Sequence, residues 1–206
     1  MMMFAVLADD EIYSSLTASS PEAQWVRITD IDEFLKINDA TALFNLHKDS
    51  GDIDYTGINV PVFINSINTT LSEINAAQNI LRINAWPGFI EKEIWEIAGD
   101  KTLAAEDVLK KCGKKFIYVH DEPGLVSARI IALIINEAFF AKGENISSEN
   151  DIDVAMKLGT NYPHGPFEWC KIIGPDNIYS LLKKLSLTEP RYIPAPELEK
   201  EINNCK

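Results

Sequence analysis

A hydroxyl, an amide and a carboxylate in the first half of the chain have the chemistry to hold a carbonyl or alcohol oxygen. The hydroxyl is Thr69, within Ser66-Ile67-Asn68-Thr69-Thr70-Leu71-Ser72, with Thr70 the alternative one residue on. The amide is Asn84, within Arg82-Ile83-Asn84-Ala85-Trp86-Pro87-Gly88-Phe89. The carboxylate is Glu96, twelve residues further on, in Ile94-Trp95-Glu96-Ile97. All three can hydrogen-bond a ligand oxygen or its proton. An amide takes up no proton near neutral pH, however, so Asn84 is not a general base. Each also has a plainer explanation: the threonine caps a helix starting near Ser72, and Glu96 faces solvent on an alternating strand. Of the three histidines, His47 follows a strand, while His120 and His164 are the positions to which a base could have moved. Cys112, Cys170 and Cys205 are unevenly spaced. They read as reduced thiols of a cytoplasmic protein, not as a disulfide framework or a metal site.

The elements that must position these groups follow from the hydrophobic pattern. Apolar runs at 4–7, 25–28, 42–46, 61–67, 80–85, 94–97 and 116–119 predict strands. Helices are expected at 31–37, where Thr29 or Asp30 caps, and at 102–111 before Gly113. The polar linker 48–59 is short for a helical crossover, so the α/β half is abbreviated. Beyond Pro123-Gly124 a long apolar helix spans 125–141, with too little polar surface to be solvated. It ends at Gly143. A further helix starts after Ser148, with Asp151 three residues on, and stops at Gly159. Pro175 opens another, and the proline-rich tail 190–196 is extended.

The chain has 206 residues, 46% apolar and 24% charged, as in an ordinary globular protein. A net charge of -12 with no basic stripe argues against nucleic acid and against an anionic membrane surface. The apolar N-terminus, Met1 to Ala8, lacks a basic leader and runs into Asp9-Asp10-Glu11, which reads as a strand rather than a signal peptide.

One set of motifs is long, ordered and evenly distributed: Asp121-Glu122-Pro123-Gly124, Arg129, Asn136-Glu137-Ala138, Asp151-Ile152-Asp153 with Ala155-Met156-Lys157-Leu158-Gly159, Tyr162-Pro163 with Gly165-Pro166-Phe167-Glu168, and Arg191-Tyr192 with Pro194-Ala195-Pro196. Through these residues the chain resembles the NAD-linked L-3-hydroxyacyl-CoA dehydrogenases, strongly at 121–198 and weakly before. The resemblance implies an abbreviated Rossmann-like α/β domain at 1–121, a helical domain at 122–206, and a homodimer through the helical domain. The implied activity is NAD-dependent interconversion of 3-hydroxyacyl-CoA and 3-ketoacyl-CoA.

The same resemblance assigns roles that this sequence departs from. The catalytic histidine falls on Asn84, its orienting glutamate on Glu96, the active-site serine on Thr69 or Thr70, and an active-site asparagine on Ala128. An acid on the adenosine ribose falls on Asp30. The glycine-rich phosphate turn falls on Ala8-Asp9-Asp10-Glu11-Ile12-Tyr13, without a glycine. Each Cβ there holds a pyrophosphate off. Each carboxylate repels it by about 1 kcal/mol or more at intermediate dielectric, although acids also suit a helix N-terminus. The expectation is a family member without NAD or another cofactor and without dehydrogenase catalysis, keeping an acyl-CoA-type site near Thr69, Asn84 and Glu96 at the domain interface. Two alternatives stand beside it: an active divergent oxidoreductase, and a non-catalytic dimerisation scaffold.

Overall fold

The computed structural model describes residues 3–48 and 50–204. The chain divides into two compact units, one up to Leu125 and one from Val126.

The first unit is a seven-stranded sheet: β1 (Phe4–Leu7), β2 (Trp25–Ile28), β3 (Ala42–Asn45), β4 (Val62–Ile64), β5 (Ile80–Ile83), β6 (Ile94–Ala98) and β7 (Lys115–Tyr118), in the order β2-β1-β3-β4-β5-β6-β7. Pairing is parallel from β2 through β5, antiparallel between β5 and β6, and parallel again between β6 and β7. The strands FAVL, ALFN, VFI and ILRI are buried throughout, because both faces of the parallel part are covered. On one face Phe4, Val6, Phe44, Phe63 and Ile83 pack with Ile12 and Leu16 of α1 (Asp10–Ser19) and Val108 and Leu109 of α2 (Leu103–Lys111). Phe44 stacks on Phe63 at 4.7 Å and meets Trp25 edge-on at 5.1 Å. On the other face Ala5, Leu7, Leu43, Val62 and Ile64 pack with Phe34 of the short helix Ile31–Leu35 and with Tyr55.

Among its described residues the parallel connection from β3 to β4 contains only a 3-10 turn, Ser50–Asp52, where a doubly wound sheet ordinarily carries a helix. The helix expected near Ser72 does not form. Residues 71–75 make a single turn, closed by Asn75 in the left-handed region at φ 50°.

The second unit is helical: α3 (Ser127–Gly143), α4 (Glu149–Thr160), α5 (Pro166–Ile173), α6 (Pro175–Ser186) and α7 (Pro196–Asn204). As its composition requires, α3 lies at the centre and packs on α5, α6 and α7, with Phe139 edge-on to Phe167 at 5.0 Å. Two expectations are corrected. Gly159 does not stop α4, which runs to Thr160 and ends at Asn161 in the left-handed region. Gly159 is exposed, and a glycine in an exposed last turn costs only about 1 kcal/mol of propensity. The tail is not extended throughout: Pro190–Tyr192 is a 3-10 turn and α7 follows, with Pro196 in its first turn and Leu198 and Ile202 buried on one side.

Candidate functional site

In an open doubly wound sheet, ligands bind beyond the carboxyl ends of the strands where the order reverses, here between β1 and β3. Helix α1 begins at that point, and its N-terminus is already occupied by its own chain. Asp9 Oδ1 accepts from Ile12 N at 2.9 Å. Asp10 pairs with Arg27 at 2.6 Å, and the same guanidinium donates to the Ala8 carbonyl at 3.1 Å and lies over the Tyr13 ring. The acidic turn is therefore a helix cap with acids placed where the helix dipole favours them. Asp30 is also a cap. Its Oδ1 accepts from Glu33 N at 2.9 Å at the start of the short helix Ile31–Leu35.

Farther along the sheet, buried asparagines tie adjacent strand ends together. Asn45 Nδ2 donates to the Tyr55 hydroxyl at 2.9 Å. Asn65 Nδ2 donates to the Leu46 carbonyl, and its Oδ1 accepts from Ala85 N, both at 3.2 Å. Asn84 follows β5, is buried, and accepts from Trp86 N on Oδ1 at 3.1 Å.

Glu96 lies on the antiparallel partner strand. Arg82 pairs with Ala98 and Ile83 with Ile97. Continuing that register by one residue sets Asn84 opposite Glu96, which gives the twelve-residue spacing its structural meaning. Glu96 is half-buried, between the solvated and core limits.

Thr70, not Thr69, caps the turn that follows. Thr70 N donates to Glu73 Oε2 at 2.8 Å, and Glu73 N donates to Thr70 Oγ1 at 3.2 Å, a reciprocal capping box. Thr69 is half-buried, and its carbonyl accepts from Ser66 Oγ at 2.8 Å.

The residue that sequence reasoning missed is Arg82. It is fully buried on β5, on the same strand face as Asn84. Its guanidinium donates to the carbonyls of Ser66 (2.7 Å), Ile67 (3.1 Å) and Glu122 (3.3 Å) and pairs with Asp121 at 2.5 Å. Burial pulls its pKa down and the Asp121 carboxylate opposes the shift. Asp121 Oδ2 also accepts from Ser72 N at 3.2 Å, and Gly124 N donates to the Ile67 carbonyl at 2.8 Å. Arg82 thus pins the Thr69 loop to the turn that ends the first unit. The available signal was one arginine within an otherwise apolar strand, ILRI.

His47 and His120 are exposed. His164 lies in the second unit, edge-on to Trp169 at 4.8 Å and 3.9 Å from Glu168. Ala128 is fully buried in α3. Among the described residues no group of three His, Cys, Asp or Glu side chains is arranged to hold a metal ion. None of their helices is long and apolar enough to cross a membrane.

In the second unit the signature motifs hold helix ends and the tail. Asp153 is buried in α4 and accepts from Phe167 N (2.8 Å) and Glu168 N (3.1 Å), capping α5. Glu168 completes the cap by accepting from Gly165 N at 3.0 Å and pairs with Lys157. Asn136 imitates a backbone strand: it donates to the Ile193 carbonyl (2.9 Å) and accepts from Ala195 N (2.8 Å), seating Pro194-Ala195-Pro196 on α3. Arg129 lies over the Tyr192 ring.

Comparison with known proteins agrees with this architecture. Residues 124–204 match the 3-hydroxyacyl-CoA dehydrogenase, C-terminal domain family. The 3-hydroxyadipyl-CoA dehydrogenase of Escherichia coli K12 is 43% identical over 88 residues, which is 42% of this chain and 18% of that protein. A probable 3-hydroxybutyryl-CoA dehydrogenase of Bacillus subtilis is 38% identical over 95 residues, 45% of this chain and 33% of the relative. The aligned stretch thus spans a third or less of those relatives' length. The fold extends further than the sequence match. The crystal structure of (S)-3-hydroxybutyryl-CoA dehydrogenase from Ralstonia eutropha superposes with a TM-score of 0.74 over 99% of this chain and 94% of that one, at 21% identity. The helical unit thus matches the 3-hydroxyacyl-CoA dehydrogenase C-terminal domain family in sequence, and the chain shares the fold of a solved dehydrogenase over both units.

Proposed function

We propose that this chain is a 3-hydroxyacyl-CoA dehydrogenase-family protein of fatty acyl-CoA metabolism that binds an acyl-CoA-type ligand without binding NAD or transferring hydride. The observation that carries the reading is the start of α1. At the helix end that would receive a pyrophosphate, the Ile12 amide is capped by Asp9, with Asp10 and Glu11 beside it in the first turn. Removing those acids from their cap and bringing an anion to them opposes both hydrogen bonding and charge. Asn84, in place of a base, agrees with the same reading: it can orient a carbonyl oxygen, with Glu96 opposite and Thr69 as a hydroxyl donor, but cannot accept the alcohol proton. Burial supports a reducing, cytoplasmic setting. Cys112 and Cys170 are buried thiols outside any disulfide, and the Cys112 thiol is pushed up to about 12. Cys205 lies outside the described residues.

Calorimetric titration with acetoacetyl-CoA, with and without NADH, tests the reading. The expected result is saturable binding that NADH leaves unchanged, with no oxidation of NADH. Binding strengthened by NADH, or NADH consumed by pure protein, identifies a working oxidoreductase instead. No binding at all leaves a dimerisation scaffold.

Within the same proposal the chain is a homodimer through its helical unit. Val126 at the N-cap of α3, Ile130 on α3 and the tail residue Ile193 are exposed although apolar, a surface suited to association. Sedimentation equilibrium is expected to give twice the chain mass, and Ile130→Glu to give the monomer.

A further inference from the structure

A cavity of about 480 Å³ in the first unit lies where the β3-to-β4 connection lacks a helix. Its walls include Ile53, Tyr55, Ile74 and Ile80, which belong to or pack against the core on that face of the sheet. One wall is fixed in advance. The buried Tyr55 hydroxyl donates to the Ser50 carbonyl at 2.7 Å and accepts from Asn45 at 2.9 Å. The rim carries Asp52 and Asp54, both exposed. Asp54 accepts from Thr56 N and Oγ1, which hold its carboxyl below its ordinary pKa and keep it ionised. Among the described residues neither aspartate has an ion pair. The surrounding sequence makes this a regional property: residues 49–81 contain no Lys, Arg or His, although the chain has 19 Lys and Arg in all.

A volume in the range of small-molecule sites, apolar walls and a rim of uncompensated negative charge are complementary to a ligand with an aliphatic body and a cationic head. We propose that this groove binds an aliphatic ammonium compound, with the alkyl chain against Ile53, Ile74 and Ile80 and the ammonium between Asp52 and Asp54. The charge of the region excludes phosphate-bearing ligands from the groove. The site shares no residue with Thr69, Asn84 or Glu96, so it stands or falls independently of the function proposed above.

The test uses the full chain and three ligands of equal chain length: n-octylamine, n-octanol and octanoate, titrated at neutral pH and low salt, with binding followed by calorimetry and by amide shifts of residues 51–56 and 74–77. The amine is expected to bind at one site about tenfold more tightly than the alcohol, and the acid more weakly still. Asp52→Asn with Asp54→Asn is expected to remove the preference for the amine while leaving alcohol binding in place. Ala77→Trp, at the exposed lip, is expected to abolish binding of all three without unfolding the chain. Equal affinity for amine and alcohol overturns the proposal, as does amine binding that survives Ala77→Trp. Self-association of the wild-type chain that is lost in Ala77→Trp also overturns it, by giving the groove to a second copy.

Discussion

Arg82→Met is expected to destabilise the first unit by about 3 kcal/mol, the lower part of the range for removing one member of a buried ion pair. The substitution keeps an unbranched apolar stem on β5, so packing changes little. What is lost is the guanidinium's donation to the carbonyls of Ser66, Ile67 and Glu122. Loss of the donor to the Ser66 carbonyl costs on the order of 1–3 kcal/mol, whereas the carbonyls of Ile67 and Glu122 keep the amides of Gly124 and Leu125 and add less. Asp121 loses its partner at less cost, because its side chain is 26% exposed and can be resolvated. Asp121→Asn is therefore the informative comparison. The asparagine oxygen still accepts from Arg82, and the expected loss is about 1 kcal/mol. Urea unfolding followed by tryptophan fluorescence measures both. Equal losses in the two variants would mean that Arg82 acts through the charge pair and not through the three carbonyls.

Gly165→Ala is expected to cost about 3 kcal/mol, through a collision and not through the backbone. Gly165 has φ -73° and ψ 167°, a conformation open to any residue. A Cβ there would lie 2.3 Å from Asp153 Oδ1 and 2.4 Å from its Cβ and Cγ. Asp153 must then withdraw, and the amides of Phe167 and Glu168 lose their acceptor at the start of α5. Loss of an N-cap alone is worth roughly 1 kcal/mol, and leaving buried amides unpaired adds to it. Asp153→Ala is expected to cost about 2 kcal/mol for the same amides. The double variant distinguishes the mechanism. Alanine at 153 would keep the Cβ that lies 2.4 Å away, so the background for the cycle is Asp153→Gly, in which Gly165→Ala has nothing of that side chain to strike and should add under about 1 kcal/mol, a measurable non-additivity. Full additivity would show that the glycine is required for some reason other than Asp153.

These two sites bear on what the family signature means in this chain. Asp153, Gly165, Glu168 and Asn136 were legible as a resemblance, and the structure gives each a mechanical role, either in capping α5 or in seating the tail on α3. A signature made of caps and tail contacts persists as long as the helical unit must fold, whatever happens to the chemistry elsewhere. That is consistent with a strong match at 124–204 beside an acid-capped α1 and an asparagine at position 84.

Elements with local signals were legible in the amino-acid order. Short, wholly apolar runs could only be strands covered on both faces, and Leu125 to Ala141 was too apolar to be anything but a central helix. Thr102 and Ser148 announced helix starts, because a cap is a contact three residues long. Local signals misled where the opposing cost was small: Gly159 sits in a solvated turn, and α7 was obscured by the prolines that open it. The site, by contrast, emerges only on folding. Asn84 and Glu96 face one another because β6 runs antiparallel to β5, a reversal that strand propensity does not encode. Arg82 is recognisable as a clamp only when the Asp121 turn, 39 residues away, is folded against it. Periodicity records which face of an element is buried, whereas the partner that a buried polar group finds there is fixed by the register of distant strands.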